Sequence, residues 1–360
     1  MSRSSSGPSD STSSSPSLDR SALIYMLLLA VQFGLQPILT RRFTPPDITR
    51  STVVLIQELV KGLLALSMMQ ITGSTKSALN GWSVRTWISV AAVPAVLYAI
   101  QNMAALVAYQ NLDALTFNVL NQTKTLSAAL CCYFVMGRKQ SLTQILALLL
   151  LLLSALIMEG IVSVHWVWGM LSHVGGPRKS GNDPGEDNFA SATAWDAKHY
   201  THGVAPILLA SFISGLAGAL SQSNLQSTAG GGRNPYLFSL ELCVASILVL
   251  TASLAISTDG QHVLREGFWQ GWTLPTFIPI VVNSVGGILV GLVTKYAGSV
   301  RKGFALIFGI LVSGLIQAGL QPDVGVTQEQ ILGGVVAAIS LYLHAMYPPR
   351  SKAPKTVKQD

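Results

Sequence analysis

The sequence contains few charged residues. Asp, Glu, Lys and Arg make up 11% of its 360 residues, whereas soluble domains carry about a quarter. This deficit excludes an ordinary soluble domain, because half of the residues are apolar and many of them fall in long uncharged runs. We therefore predict a polytopic membrane protein that lies in the lipid bilayer.

Cysteine is also scarce, and recognisable catalytic patterns are missing. Cys131, Cys132 and Cys243 fall inside apolar segments without CxxC spacing or a nearby His, so we predict buried packing residues. The sequence has no HExxH or GxSxG pattern. We predict no metal site, no cofactor and no enzymatic activity.

The excess of basic residues does not indicate a protein that binds nucleic acid. Lys and Arg total 23 against 16 acidic residues, but no basic stretch is interleaved with aromatic residues as a nucleic-acid surface requires. In a membrane protein the positive-inside bias of cytoplasmic loops explains such an excess. We predict that nucleic acid is not a partner.

Ten segments reach or approach the roughly 20 residues needed to cross a bilayer as a helix. The predicted fold is all-α. The predicted spans are 21–40, 50–71, 86–110, 113–136, 142–164, 203–226, 235–257, 274–296, 299–319 and 328–347.

The spans divide into two sets of five. The predicted parts are a Ser-rich disordered cytosolic tail (1–20), a first five-helix repeat (21–164), a lumenal linker (165–202), a second repeat (203–347) and a cytosolic tail (348–360). An odd number of spans per half makes the repeats inverted, as in many transporters. Internal similarity is faint, and its best match sets IQEL beside SLEL in the second helix of each half.

An even number of spans places both termini on one side of the membrane. Assigning the termini to the cytosol puts more basic residues in cytoplasmic loops than in lumenal ones, although Arg41, Arg42 and Arg50 oppose this orientation. We predict cytosolic termini.

Lys124 lies near the middle of the fourth predicted span. A cation at the centre of a membrane helix costs about 2.5–3.5 kcal/mol on insertion scales and is usually functional. Phe117 and Asn121 share its helix face at i, i+4 and i+7 spacing. We predict that Lys124 binds phosphate and that the amide and the ring face a base or sugar. The alternative is a structural ion pair with Glu58 or Glu241.

Arg301 and Lys302 lie near the start of the ninth span. A helix N-terminus favours anions, and two cations from opposite halves suit a bridging diphosphate. We predict a phosphate-binding role for Lys302 and a gating or coupling role for Arg301. The alternative is a basic pair that extends to the membrane interface.

Other polar residues inside the spans leave two interpretations open. Tyr98, Gln101 and Asn102 on the third span could read a pyrimidine and stack on it, or form interhelical hydrogen bonds. Glu58 has Lys61 at i+3, which favours an intrahelical pair. Glu241 has no basic neighbour on its helix, so it pairs across the bundle, is protonated or faces water. We assign Glu58 and Glu241 to gating or coupling.

Two blocks resemble a known family. VPAVLYAIQNMAALVAYQNLDALTFNVLNQTKTLSAAL (Val93 to Leu130) and SVGGILVGLVTKYAGSVRKGFA (Ser284 to Ala305) are similar to Golgi and endoplasmic-reticulum nucleotide-sugar transporters. They resemble the branch that carries UDP-sugars and CMP-sialic acid. The resemblance implies ten helices in two inverted repeats, and exchange of a nucleotide sugar for the matching nucleoside monophosphate.

The resemblance also implies residue roles. Lys124 and Lys302 match phosphate-binding lysines, and Tyr98, Asn102 and Phe117 match residues around the nucleobase, where Phe117 replaces a common tyrosine. Ser239 is predicted to contact the base or the sugar. Ser239 and Cys243 align with positions at which the sialic-acid branch has Asn and Tyr. RNPYLFSLEL (Arg233 to Leu242) resembles plant-type relatives that handle UDP-N-acetylhexosamines.

We therefore expect an antiporter in the Golgi or endoplasmic-reticulum membrane. Its expected cargo is a UDP-sugar, either a UDP-N-acetylhexosamine or UDP-galactose, exchanged for UMP. The alternatives are a CMP-sialic acid transporter, a sugar-phosphate or phosphate exchanger of the same fold, and a proton-coupled exporter of cationic drugs that uses Glu58 or Glu241.

Overall fold

A computed structural model describes residues 20–112, 114–158, 200–227, 232–320 and 327–347, and these residues form helices and connecting turns without strands. The long helices are α1 (Arg20–Phe43), α2 (Arg50–Ile71), α3 (Val84–Asn111), α4 (Ala114–Met136), α5 (Leu142–Met158), α6 (Tyr200–Leu225), α7 (Pro235–Ile256), α8 (Leu274–Tyr296), α9 (Ser299–Leu320) and α10 (Gln328–Met346). Two short helices, Thr75–Leu79 and Thr258–Glu266, lie in connections.

The helices follow the predicted spans. Their ends agree with the predicted ones within three residues wherever the structure describes them. In the described part of the chain, eight helices are long and apolar enough to cross a membrane: α1 to α3 and α6 to α10. The described part of α5 is shorter, and α4 is not among the eight. The all-helical polytopic class is confirmed, whereas the count of ten spans stays a prediction.

Several predictions lie outside the described residues. These are the tail 1–20 apart from Arg20, the linker 165–202 apart from its last residues, and the tail 348–360.

The helix pairs follow a regular pattern. Among the described residues the extensive pairs are α1 with α8 and α9, α6 with α3 and α4, α2 with α7 and α8, α7 with α3 and α8, α4 with α5 and α9, and α10 with α5 and α9. Exchanging α1–α5 with α6–α10 converts most of these pairs into one another or into themselves, whereas the α7–α8 pair has no counterpart of similar extent between α2 and α3. Much of the helix packing is therefore common to the two halves of the chain.

A proline shapes the start of α3. A π-helical turn, Ile88–Ala92, precedes the regular helix Val93–Asn111. Pro94 has no N–H to offer the Val90 carbonyl, and this carbonyl instead accepts a hydrogen bond of 3.2 Å from Asn224 Nδ2 of α6. The Val90 carbonyl, which lacks a backbone donor from Pro94, therefore forms a contact between α3 and α6.

The largest buried apolar cluster among the described residues joins helices from both halves. Leu29 of α1, Leu148 of α5, Phe304 of α9 and Ala337 of α10 belong to it. Cys131 and Cys132 of α4 lie in the same cluster, and all three cysteines are free and buried. Their predicted packing role is confirmed.

Candidate functional site

A cavity of about 220 Å³, here called the central cavity, lies between α1, α3, α4, α6, α8 and α9. Lys124 of α4 and Lys302 of α9 both line it. Gln101 of α3 lines it as well, so three of the residues that the sequence singled out meet here. The other lining residues are Phe33, Thr125, Ala128, Ser214, Gly218, Val290, Ser299, Gly303 and Leu306.

The first turn of α9 is fixed against α6. Gly298 has a positive φ of 92°, which separates α8 from α9 in a conformation that favours glycine. Ser299 N–H then donates to Gln222 Oε1 at 2.8 Å, and Ser299 Oγ donates to the Gly218 carbonyl at 2.7 Å. These bonds hold the start of α9, and with it Lys302, at the wall of the cavity.

A glycine brings α4 and α9 close together beside the lysines. A Cβ at Gly303 would overlap the Thr125 side chain of α4. Thr125 is buried one residue after Lys124, and Gly303 follows Lys302. The close approach of the two backbones therefore places both ammonium groups on one cavity.

The lining of the central cavity is cationic. It includes two lysines and no Asp or Glu. Among the described residues, neither ammonium group forms an ion pair or a hydrogen bond. Because two like charges without a counter-charge are unfavourable in a low-dielectric interior, this arrangement suits an anionic ligand.

Gln101 has an unused hydrogen-bonding atom. Its Oε1 is buried and has no hydrogen-bond partner within the described part of the chain. A buried amide oxygen without a donor is costly, so it suits an N–H or O–H group of a ligand in the cavity.

The two buried carboxylates among the described residues are paired away from the lysines of the cavity. Glu58 is 7% exposed and forms the predicted intrahelical ion pair with Lys61 at 2.5 Å. Glu241 is 4% exposed, pairs with Arg233 through two guanidinium contacts, and accepts a hydrogen bond of 2.8 Å from Trp82 Nε1. The structural alternative for Lys124, a pair with Glu58 or Glu241, is therefore wrong.

The ion-pair partner of Glu241 lies close to it along the chain. Arg233 lies in the segment just before α7, so pairing across the bundle is not what neutralises Glu241. Arg233 was not a predicted partner of Glu241, because it precedes the helix that carries Glu241. The Trp82 contact additionally ties α7 to the connection that precedes α3.

The remaining predicted base and sugar residues do not line the central cavity in this structure. Asn102 is exposed, while Tyr98 and Asn121 are half-buried. The Phe117 ring packs edge-on against the Tyr109 ring, with centroids 5.3 Å apart. Ser239 Oγ is buried and donates to the Pro235 carbonyl of its own helix at 2.9 Å.

Arg301 lies on a different cavity from Lys302. That second cavity, of about 460 Å³, is also lined by Arg138, Lys139 and His344. None of these last three residues was a predicted site residue. The Arg138–Lys139 pair directly after the fourth span was the signal that could have drawn attention to it.

The fold and the central cavity define a helical membrane protein with an internal cationic site. The chain belongs to the nucleotide-sugar transporter family, which it matches over residues 15–345. The resemblance found in the sequence is thereby confirmed, and the family consists of transporters.

Individual relatives cover most of the chain. A UDP-N-acetylglucosamine transporter from Arabidopsis thaliana, ROCK1, is 34% identical over 93% of this chain and 96% of its own length. A UDP-N-acetylglucosamine transporter from Rattus norvegicus is 28% identical over 71% of each chain. One crystal structure shares the fold with a TM-score of 0.60 at 11% identity, covering 90% of this chain and 96% of its own.

Proposed function

We propose that this protein exchanges a UDP-sugar, with UDP-N-acetylglucosamine as the first candidate, for UMP across the Golgi or endoplasmic-reticulum membrane. Two observations support this cargo. A relative that matches over nearly its whole length is a UDP-N-acetylglucosamine transporter. The segment RNPYLFSLEL resembles transporters of UDP-N-acetylhexosamines.

One structural observation carries the proposal: Lys124 and Lys302 share a cavity that no carboxylate lines. In our proposal the diphosphate of the UDP-sugar lies between them and bridges α4 and α9. Charge-assisted hydrogen bonds to phosphate are stronger than neutral ones, and two cations that line one cavity match a group with two negative charges. Gln101 Oε1 then accepts a hydrogen bond from the base or the sugar.

The size of the cavity implies a movement. Its 220 Å³ is below the roughly 300–1,000 Å³ of pockets that enclose drug-sized ligands. In this conformation it accommodates the diphosphate more readily than a whole nucleotide sugar. We propose that the helices around it separate on loading and that Tyr98, Asn102, Phe117, Asn121 and Ser239 then face the base and the sugar.

We propose that this movement is the rocking of two inverted five-helix repeats. The helix pairs that α1–α5 and α6–α10 have in common support such an arrangement. The orientation with both termini in the cytosol rests on the distribution of basic residues. The UDP-sugar then enters from the cytosol and UMP leaves the lumen.

The unpaired lysines also offer a reason for obligatory exchange. Closing the central cavity around two ammonium groups without an anion leaves their desolvation uncompensated. We therefore propose that the return step requires UMP.

The experiment is uptake of labelled nucleotide sugars into proteoliposomes with and without UMP inside. We expect UDP-N-acetylglucosamine to enter preloaded vesicles faster, with weaker uptake of UDP-galactose, CMP-sialic acid and glucose 6-phosphate. Equal uptake with and without internal UMP would refute exchange. Preference for CMP-sialic acid or for the sugar phosphate would refute the proposed cargo.

A further inference from the structure

The second cavity, here called the basic cavity, lies where the α4–α5 connection, the α8–α9 turn and the end of α10 meet. Arg138, Lys139 and Arg301 give it three basic side chains, and no Asp or Glu lines it. Within the described ranges, none of the three has an ion pair or a hydrogen bond. The cavity thus concentrates positive charge that the protein itself does not neutralise.

His344 adds an unused polar group to the same cavity. The residue is 5% exposed, and neither ring nitrogen has a hydrogen-bond partner in the described part of the chain. The ring is held against Phe304, with centroids 5.4 Å apart, and the His344 carbonyl accepts from Gln144 Nε2 at 3.1 Å. Packing therefore fixes the imidazole while leaving its nitrogens without a partner.

A neighbouring amide shows the same feature. Gln140 also lines the basic cavity, and its Oε1 is buried without a partner among the residues that the structure describes. Buried polar atoms are nearly always satisfied in folded proteins, so each unsatisfied one requires an explanation. Two such side chains on one cavity indicate a ligand that supplies the missing partners.

The other amides of this cavity bind the protein rather than a ligand. Gln222 Nε2 donates to Gln226 Oε1 at 3.0 Å, and Gln226 Nε2 donates to the Lys295 carbonyl at 2.6 Å. Gln144 Oε1 accepts from Ser141 N–H at 3.1 Å. These hydrogen bonds stabilise the wall of the cavity. The side chains that remain to bind a ligand are the three basic ones, His344 and Gln140.

We propose that the basic cavity is a second anion-binding site that takes a phosphate group and is distinct from the central cavity. Arginine matches phosphate geometry, and a volume of 460 Å³ leaves room for a phosphate with a substituent. An N–H of His344 donates to a phosphate oxygen, and a hydroxyl of the substituent donates to Gln140 Oε1. A soluble phosphate and the headgroup of an anionic lipid share this chemistry.

The site does not depend on which cargo the central cavity carries. Arg301 and Lys302 are consecutive, but they line separate cavities, and Gln222 and Ser299 lie between those cavities. Substitutions can therefore remove one group of cations and leave the other in place.

The test measures phosphate binding after the central lysines have been removed. Binding of labelled pyrophosphate is measured for the full-length K124A/K302A protein in nanodiscs, first alone and then with R138Q/K139Q added. The matched control adds K76Q/R85Q, which removes the same charge from residues that line neither cavity. The amount of phosphatidylinositol 4-phosphate retained on purification is compared for the same proteins.

We expect residual pyrophosphate binding in K124A/K302A, weakened about tenfold or more by R138Q/K139Q and unchanged by K76Q/R85Q. If K124A/K302A retains the lipid but does not bind pyrophosphate, and if only the addition of R138Q/K139Q abolishes lipid retention, the lipid headgroup is the source of the phosphate. Equal pyrophosphate binding and equal lipid retention in R138Q/K139Q and K76Q/R85Q would overturn the proposal.

Two further variants keep the test decisive if R138Q/K139Q does not fold. R301Q removes the third cation, and H344F keeps a ring against Phe304 while removing both nitrogens. Each is expected to weaken binding at the basic cavity severalfold. Unchanged binding in both, with correct folding, would contradict the proposed site.

Discussion

Arg301 and Lys302 are neighbours at the start of α9, but Lys302 lines the central cavity and Arg301 lines the basic cavity. Adjacent residues on a helix point about 100° apart, so one turn of α9 can serve two cavities. The Ser299 hydrogen bonds to α6 fix the rotation of that turn. This single helix start therefore contributes one cation to each cavity.

The central lysines are expected to determine transport. Replacing Lys124 or Lys302 by Ala removes a charge-assisted bond to the phosphates, which is typically worth about 1.5–3 kcal/mol. We expect nucleotide-sugar affinity to fall by about 10–100-fold, measured as the KM of uptake into proteoliposomes. K76A, at a lysine outside both cavities, serves as the control and should behave like the unchanged protein. Normal uptake by K124A or K302A would disprove the role.

The buried Glu241 is expected to depend on Arg233. R233Q leaves a carboxylate that is 4% exposed without its ion-pair partner, and breaking such a pair costs about 3–5 kcal/mol. We expect R233Q to unfold at a clearly lower temperature and R233Q/E241Q to recover much of the loss. Thermal unfolding of the purified proteins checks this. A double variant as unstable as R233Q would contradict the prediction.

The contact between α4 and α9 is expected to tolerate no larger residue at Gly303. In G303A the new methyl group overlaps the Thr125 side chain, and overpacking of this kind costs about 1–3 kcal/mol. We expect lower thermal stability and slower uptake, both partly restored by T125A. G319A is the matched control, because Gly319 lies on the same helix and a methyl group added there would have no neighbouring atom within 4 Å among the described residues. Equal effects of G303A and G319A would argue against a tight α4–α9 contact.

The Asn224 bond to α3 is expected to compensate for Pro94. N224A leaves the Val90 carbonyl without the side-chain donor, at a cost of about 1 kcal/mol. In P94A/N224A the backbone N–H returns, so the added cost of N224A should shrink. A double-mutant cycle of thermal stability measures this coupling. Strictly additive effects would show that the two residues act independently.

The spans and the lysine at the centre of the fourth span follow from local sequence. Long apolar runs form helices in a bilayer because every backbone polar group must be satisfied within the segment. Hydropathy therefore located the helix ends to within three residues, and it made Lys124 stand out. Local motifs also carried the family resemblance, because VPAVLYAIQN and SVRKGFA are continuous stretches.

Contacts outside a single helix could not be predicted in the same way. Glu241 gains Arg233 and Trp82, which are 8 and 159 residues away along the chain. The basic cavity unites Arg138 with Arg301 and His344, residues that no local pattern connects. Phe117 was expected at the base, yet its ring contacts Tyr109 in this conformation.

By itself, the sequence determined that the chain is a helical membrane protein with a cation in a span, because hydrophobic length and the cost of an intramembrane charge are local properties. Only the tertiary structure decided which cations share a cavity and which carboxylates are already paired. Those relationships depend on which helices approach closely, and small residues such as Gly303 and backbone bonds such as that of Ser299 fix that approach.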